Sequence, residues 1–265
     1  MNKQINLNVD IKNGSPDRFG YEWHRYNKIN PYHKIQFFKW LPFFESDDWK
    51  NKIFLDAGCG MGRNSFWPLS FGAKKGYSID VSQKSLDSAK ELLKKFRSSE
   101  VLYCSIYDIP YRKKFDISFS IGVIHHLEFP LLGLKSLVSA TKSGGLVSIW
   151  VYGKENNEWI IKYFNPLRNS VFSKLPISLL HHISLYPSLA LYLWLKMYPQ
   201  EIEYYRMIRS FSFNHLRSIV FDQMLPVIAN YWTKNEVIDL MKKAKLKNIK
   251  IQQVNSISWA AIGTV

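Results

Sequence analysis

A short glycine-rich stretch combines residue types that suit the binding of a small charged ligand. Asp56 is followed by Gly58, Gly60 and Gly62, directly after a run of apolar residues typical of a strand. Glycine permits positive φ angles and lets a ligand approach the backbone N–H groups closely. We therefore expect a tight turn between a strand and a helix, with free amide groups that receive the ligand.

A second acidic residue strengthens this interpretation. Asp80 ends the apolar run 76–80 and lies 20 residues beyond Gly60. A carboxylate at the end of the neighbouring strand can accept hydrogen bonds from both hydroxyls of a ribose. The loop reads D-A-G-C-G-M-G rather than G-x-G-x-x-G. The carboxylate of Asp56 would repel a pyrophosphate but suits a ligand with an ammonium group, which favours S-adenosylmethionine over NAD.

The elements that must position these residues follow an alternating pattern. Apolar, strand-like runs occur at 52–56, 76–80, 101–106, 115–123, 146–152, 248–253 and 258–265. Helix-like stretches lie at 82–96 and 131–141, and Thr233 with Glu236 has the spacing of a capping box that begins a helix. Strands that alternate with helices predict a parallel α/β sheet.

The segment 154–231 interrupts this pattern. It is rich in Leu, Tyr, Phe and Trp and contains five prolines. We predict a helical insertion that forms a lid over the substrate. The predicted organisation is an N-terminal lead-in with an aromatic helix (1–48), a ligand-binding core (49–153 and 232–265) and this insertion (154–231).

Four motifs occur in the order known from one enzyme family. They are LDAGCGMGR (55–63), GYSIDVS (76–82), FDISFSIGVIHHL (115–127) and KSGGLVSIWVYG (142–153). With them the chain resembles the class I S-adenosylmethionine-dependent methyltransferases. The resemblance implies an α/β fold with a seven-stranded, mostly parallel, Rossmann-like sheet and an antiparallel last strand. It also implies a methyltransferase with S-adenosylmethionine as cofactor and S-adenosylhomocysteine as the product formed from it.

The resemblance also assigns residues to the cofactor. They are Asp56, Gly58, Gly60, Asp80, Val81, Ser105, Ile106 and Ile121. Ser105 stands where the family often has an acidic residue that meets the adenine amino group. Its hydroxyl can accept a hydrogen bond, although more weakly than a carboxylate. Asp108 is the other candidate for this contact.

His125 and His126 follow the fourth predicted strand and are the candidates for a catalytic base. Methyl transfer is an in-line displacement that requires an aligned nucleophile, exclusion of water and sometimes removal of a proton. The HHL sequence is common in the family whatever the substrate, so orientation of the loop is the alternative role.

Six residues are predicted to contact the acceptor: Tyr21, Trp23, Tyr26, Tyr152, His215 and Arg217. The three near the N-terminus suit a cage for a cationic or apolar acceptor, or simple core packing. Tyr152 follows the fifth predicted strand, at the edge where ligands bind in such sheets. His215 and Arg217 are polar among apolar neighbours, and they face the pocket or belong to a buried network.

Composition limits the partners and the compartment. The 265 residues carry a formal net charge of +15 that is spread along the chain, which is weaker evidence for a nucleic-acid partner than one basic face. Cys59 and Cys104 form no CxxC motif, so we expect no metal. The polar N-terminus lacks the apolar core of a secretory signal, and we expect a cytoplasmic location.

These observations favour a methyltransferase for a small molecule, such as a sugar, a lipid precursor or a secondary metabolite. A tRNA- or RNA-modifying methyltransferase is the alternative, although no N-P-P-Y motif, Pro-Cys pair or RNA-binding module is recognisable. A protein that binds the donor without methyl transfer is a third hypothesis. The apolar run 175–199 is too interrupted for a membrane span and suits a lid or a peripheral membrane contact.

Overall fold

The computed structural model describes residues 16–25, 29 and 32–265, with the side chains of all of these except 22–25. Tyr26 and the side chain of Trp23, two of the predicted acceptor contacts, lie outside the described residues. Among the described residues, no helix combines the length and the hydropathy that crossing a bilayer requires.

The centre of the molecule is a seven-stranded sheet. Its strands are β1 (Ile53–Ala57), β2 (Lys75–Asp80), β3 (Ser99–Tyr103), β4 (Phe115–Ile121), β5 (Thr141–Tyr152), β6 (Lys247–Val254) and β7 (Ser258–Thr264). Their order is β3-β2-β1-β4-β5-β7-β6. Strand β7 is antiparallel to both of its neighbours, and the other pairs are parallel. The predicted fold class is confirmed.

The α-helices of the described part flank or follow this sheet. They are α1 (Pro16–Arg25), α2 (Tyr32–Trp40), α3 (Arg63–Ser70), α4 (Gln83–Leu93), α5 (Pro130–Ala140), α6 (Asn165–Ser170), α7 (Ile177–Ile183), α8 (Leu185–Met197), α9 (Glu203–Ile208), α10 (Phe213–Met224) and α11 (Lys234–Lys243). The predicted capping box is present at α11, where the Thr233 N–H donates to Glu236 Oε2 at 2.7 Å.

The two faces of the sheet pack on different helices. Leu55 lies in a cluster with residues of α5 and α11, whereas its neighbour Phe54 lies in a cluster with residues of α2 and α3. Both side chains are fully buried. Successive residues of a strand point to opposite faces, so a strand covered on both faces is apolar without interruption. This explains why the strands appear in the sequence as continuous apolar runs.

Helices α6 to α10 lie between β5 and α11, in the segment for which a helical insertion is predicted. They have small clusters of their own, one with Leu180, Phe221 and Met224 and another with Leu195 and Leu216. The insertion therefore packs partly on itself. The predicted domain boundaries stay a prediction.

Helix α1 contacts both the insertion and the core. The Arg18 guanidinium donates hydrogen bonds of 2.8–3.2 Å to four main-chain oxygens, those of Phe172, Ser173, Leu175 and Leu225. On the core side, a Cβ atom added to Gly20 would lie 2.3 Å from Ser82 Oγ at the N-cap of α4. Glycine at this position thus permits α1 to approach α4 closely.

Candidate functional site

The glycine loop joins the end of β1 to the beginning of α3. Gly58 and Gly62 have φ angles of +80° and +81°, in the left-handed region that favours glycine. A Cβ atom at Gly58 would lie 2.2 Å from Val123 Cγ2, in the loop after β4. The absence of a side chain at Gly58 therefore lets two loops of the same sheet edge meet.

The amide groups of the loop have partners within the protein. The N–H groups of Gly58 and Cys59 both donate to the Ile79 carbonyl oxygen, at 2.8 and 2.9 Å. The N–H of Gly60 donates to Asp80 Oδ2 at 2.9 Å. The expectation that these amides are free to receive the ligand is wrong, because they fix the shape of the loop against the end of β2.

Asp80 is held in place by the backbone. In addition to the Gly60 contact, its Oδ1 accepts a hydrogen bond of 2.9 Å from the Ser82 N–H. Burial raises the pKa of Asp80, and the backbone N–H groups oppose that rise. A carboxylate offers about four acceptor positions, so this oriented side chain retains capacity for two further donors.

Asp56 stabilises the loop from a buried position at the end of β1. Its side chain is fully buried, and Oδ2 accepts a hydrogen bond of 2.6 Å from Ser65 Oγ on α3. Burial raises the pKa of Asp56 to about 7, against the effect of the Ser65 hydroxyl. The structure therefore places Asp56 as an anchor between β1 and α3, outside the lining of the cavity described next.

A cavity of about 310 Å³ extends from the loop to the insertion. Seven of the eight residues predicted to contact the cofactor line it: Gly58, Gly60, Asp80, Val81, Ser105, Ile106 and Ile121. The Ser105 hydroxyl accepts a hydrogen bond of 3.2 Å from the Tyr107 N–H, so it is already partly engaged. Asp108 is absent from the lining, which makes Ser105 the better placed of the two adenine candidates.

The two candidate bases differ in position. His126 lines the cavity, and its Nδ1 lies 2.7 Å from the Ile228 carbonyl oxygen. Because a carbonyl only accepts, Nδ1 carries the proton and Nε2 of the neutral ring is an acceptor. Burial lowers the pKa of His126 to about 4.

His125, in contrast to His126, does not line the cavity. It is fully buried, and neither ring nitrogen has a hydrogen-bond partner. Its ring stacks on Tyr152 at 3.8 Å between centroids. Burial lowers the pKa of His125 well below its usual value. His125 is therefore placed to pack against Tyr152.

The insertion supplies part of the cavity lining. Its lining residues are Tyr204, Met207, His215, Ser218, Ile219, Asp222 and Gln223. Tyr152 also lines the cavity, and its hydroxyl accepts a hydrogen bond of 3.0 Å from Gln223 Nε2 of the insertion. Of the predicted acceptor contacts, Tyr152 and His215 both line this cavity.

Two other predicted contacts lie away from the cavity lining. Arg217 donates a hydrogen bond of 2.6 Å to the His181 carbonyl oxygen, inside the insertion. The ring of Tyr21 packs edge-on against Phe221 and His181, at centroid distances of 6.0 and 6.1 Å. Both side chains are placed to hold α1, α7 and α10 together.

Residues 55–149 match a family model described as a methyltransferase domain. The tRNA U34 carboxymethyltransferase of Shewanella baltica is 32% identical over a region that covers 42% of this chain and 40% of that enzyme. The corresponding enzyme of Vibrio cholerae is 33% identical, with 40% of this chain and 35% of that enzyme covered. The chain therefore spans less than half the length of these curated relatives.

Two solved structures show the same fold. The magnesium protoporphyrin IX methyltransferase of Synechocystis, with bound S-adenosylhomocysteine, has a TM-score of 0.56 at 14% identity and covers 94% of this chain and 97% of that one. The 1,6-didemethyltoxoflavin-N1-methyltransferase of Burkholderia thailandensis, with bound 1,6-didemethyltoxoflavin and S-adenosylhomocysteine, has a TM-score of 0.52 at 12% identity, with 88% and 76% covered.

Residues 55–149 of this chain are a methyltransferase domain, set in the fold of the solved methyltransferases. The predicted family, enzyme class and cofactor are confirmed at the level of this domain. The lining residues of the methyltransferase fit the cofactor, with the Asp80 carboxylate for a ribose diol and the apolar Val81 and Ile106 for an adenine ring. Within the described residues, no group of three or more His, Cys, Asp or Glu side chains is placed to hold a metal ion.

Several lining residues of the methyltransferase were not predicted, among them Ser218, Ile219, Gln223, Tyr204 and Phe19. The sequence held a signal for some of them. Residues at i, i+3, i+4 and i+7 share one face of a helix. From His215 this spacing gives Ser218, Ile219 and Asp222, and it excludes Arg217. The signal can be used only once α10 is known to be one continuous helix from Phe213 to Met224.

Proposed function

We propose that this chain transfers a methyl group from S-adenosylmethionine to an acceptor held beneath the helical insertion. The observation that carries the proposal is one cavity that is lined both by Asp80 and the glycine loop, its donor end, and by side chains of α9 and α10, its acceptor end. Donor and acceptor in one cavity meet the main requirements of an in-line displacement, which are alignment and exclusion of water.

Bound S-adenosylmethionine supplies an electrophilic methyl group on a sulfonium sulfur. Asp80 holds the ribose hydroxyls through the acceptor positions that Gly60 and Ser82 leave open. His126 receives the proton of the acceptor at Nε2, since the low pKa of this ring keeps it neutral at pH 7. His125 stacks on Tyr152 and positions that wall of the cavity.

The comparisons favour a tRNA nucleoside as the acceptor over the small molecule that the sequence analysis placed first. The curated relatives are enzymes named for the modification of a tRNA uridine. A formal net charge of +15 also suits a polyanionic partner. In this proposal the insertion covers a tRNA base that has been flipped out of its base stack, because enzymes that act on nucleobases need access to the unstacked base.

A small molecule is the second candidate, and the wall of the cavity supports it. Tyr204, Met207 and Ile219 give the acceptor end aromatic and apolar surface. Sites for small molecules are concave and mostly apolar, with a few placed polar groups. Asp222 and Gln223 provide such groups here.

One experiment separates these candidates. The purified protein is incubated with methyl-labelled S-adenosylmethionine and either bulk tRNA or an RNase-treated, protein-free extract of small molecules from the same cells. Label in tRNA supports the first candidate, and label confined to the small-molecule fraction supports the second. Label in neither, with S-adenosylhomocysteine binding intact by calorimetry, contradicts the proposal and leaves donor binding without transfer.

A further inference from the structure

Large apolar side chains that face solvent are concentrated in one segment of the chain. Of the fourteen exposed large hydrophobic residues in the described part, twelve lie between Trp159 and Tyr198. Single exposed apolar residues are normal on a protein surface. A concentration of this kind marks a surface that interacts with a partner or a membrane.

Helix α8 carries the centre of this surface. Its exposed large apolar residues are Leu185, Tyr186, Leu189, Leu193, Trp194 and Met197, which we call the α8 face. At 100° per residue these positions share one side of the helix. The opposite side, with Ser188 and Leu195, is buried, and α8 packs against α10 there. Helix α8 is therefore apolar towards solvent as well as towards the protein.

Aromatic contacts extend the α8 face towards the beginning of the segment. The rings of Trp194 and Tyr205 meet edge-on at 5.5 Å between centroids. The side chains of Tyr205 and Trp159 lie close enough to interact. Trp159 and Trp194 are each close to half exposed, at 49% and 41%. Tryptophan and tyrosine are the side chains enriched where an apolar phase meets water.

The charges of the segment have one sign. Residues 159–200 contain no Asp or Glu. Three lysines, Lys162, Lys174 and Lys196, are exposed there, and the fourth basic residue, Arg168, is buried. A second copy of this chain would bring an equally basic surface. An anionic bilayer offers the opposite charge together with an apolar interior.

We propose that the α8 face docks on the surface of a membrane that contains anionic phospholipids. The helix lies in the plane of the interface, with Leu193 and Met197 among the acyl chains, while the lysines reach the head groups. Helix α10 packs against α8 and also lines the cavity, so docking places the acceptor end of the cavity close to the bilayer. The proposal does not depend on the identity of the acceptor.

Co-sedimentation of the full chain with vesicles tests this proposal. Vesicles of equal parts phosphatidylglycerol and phosphatidylcholine are expected to bind the protein, and binding should weaken as salt is raised. The double variant L193S/M197S should lose at least about tenfold in affinity, because two apolar side chains no longer enter the bilayer. The matched control is I35S/Y103S, which alters exposed apolar residues outside the segment. Thermal unfolding of both variants verifies that the fold is retained.

A second pair of variants tests the charge. K162E/K174E should abolish binding to the anionic vesicles, whereas K242E/K245E, with the same change in net charge on another surface, should bind nearly as well as the unchanged protein. Equal binding by L193S/M197S and the unchanged protein would overturn the proposal. So would a dimer in solution that L193S/M197S converts to a monomer, since a second copy would then cover the α8 face.

Discussion

The two ends of the cavity are built in different ways. At the donor end, Asp80 and the glycine loop are fixed by backbone N–H groups and by the ends of parallel strands. At the acceptor end, the wall consists of side chains of α9 and α10, held by contacts such as the hydrogen bond from Gln223 to Tyr152. Contacts made by main-chain groups persist when neighbouring side chains are substituted, whereas the shape and polarity of a wall made of side chains change with each substitution. One chain thus joins a generic donor site to an individual acceptor site.

The largest expected effect lies at the donor end. Asp80→Ala removes two charge-assisted hydrogen bonds to the ribose and frees the loop, so affinity for S-adenosylhomocysteine should fall about a thousandfold. Calorimetry measures the loss. Asp87→Ala, on the exposed side of α4, is the matched control and should bind normally. Unchanged affinity of Asp80→Ala for S-adenosylhomocysteine would show that the donor does not bind at Asp80.

Gly58→Ala tests the meeting of the two loops. The new Cβ would lie 2.2 Å from Val123 Cγ2 at a φ of +80°. We expect a loss of about 3 kcal/mol in the free energy of unfolding, from a left-handed backbone and overpacking together. Gly144→Ala has a φ of +76° with open space around it, and should cost about 1 kcal/mol by the backbone effect alone. Equal losses in denaturant unfolding would refute the steric argument.

His126→Ala should reduce kcat about a hundredfold without changing donor affinity, since the ring is proposed to accept a proton. The exposed His182→Ala is the control. The reactive form of His126 is neutral and its pKa is about 4. Activity should therefore be independent of this group near pH 7 and fall only as the pH is lowered towards 4. A profile for the unchanged enzyme that falls near pH 6.5, and loses that inflection in His126→Ala, would contradict the assignment.

The smallest effect is expected at Asp222. Asp222→Asn keeps the shape of the acceptor wall and removes a charge, so the KM for the acceptor should rise about tenfold while donor affinity stays constant. Asp239→Asn, exposed on α11, is the matched control. A parallel loss of donor affinity would mean that the two ends of the cavity are coupled.

The same division explains what the sequence could predict. The strands are apolar on both faces, and Asp80 stands at a strand end, so a parallel α/β sheet and the role of Asp80 follow from periodicity and spacing. The seven-stranded order and the other donor residues followed from the resemblance to the family. The hydrogen bonds of Gly58 and Cys59 to Ile79 could not be predicted from the sequence, because they depend on how the glycine loop folds against the end of β2. Arg217 was misplaced for a similar reason. Its position relative to the cavity is set by the rotation of α10, which tertiary packing determines.

The hydrogen bonds of Arg18 have a consequence for how the sequence of the insertion can change during evolution. The guanidinium holds the insertion entirely through main-chain oxygens, at 172–175 and at 225. Nothing in that attachment specifies which side chains the insertion carries. At this attachment the helices above the cavity can change in sequence without loss of the Arg18 contacts, so part of the connection between α1 and the insertion would survive the acquisition of a new acceptor.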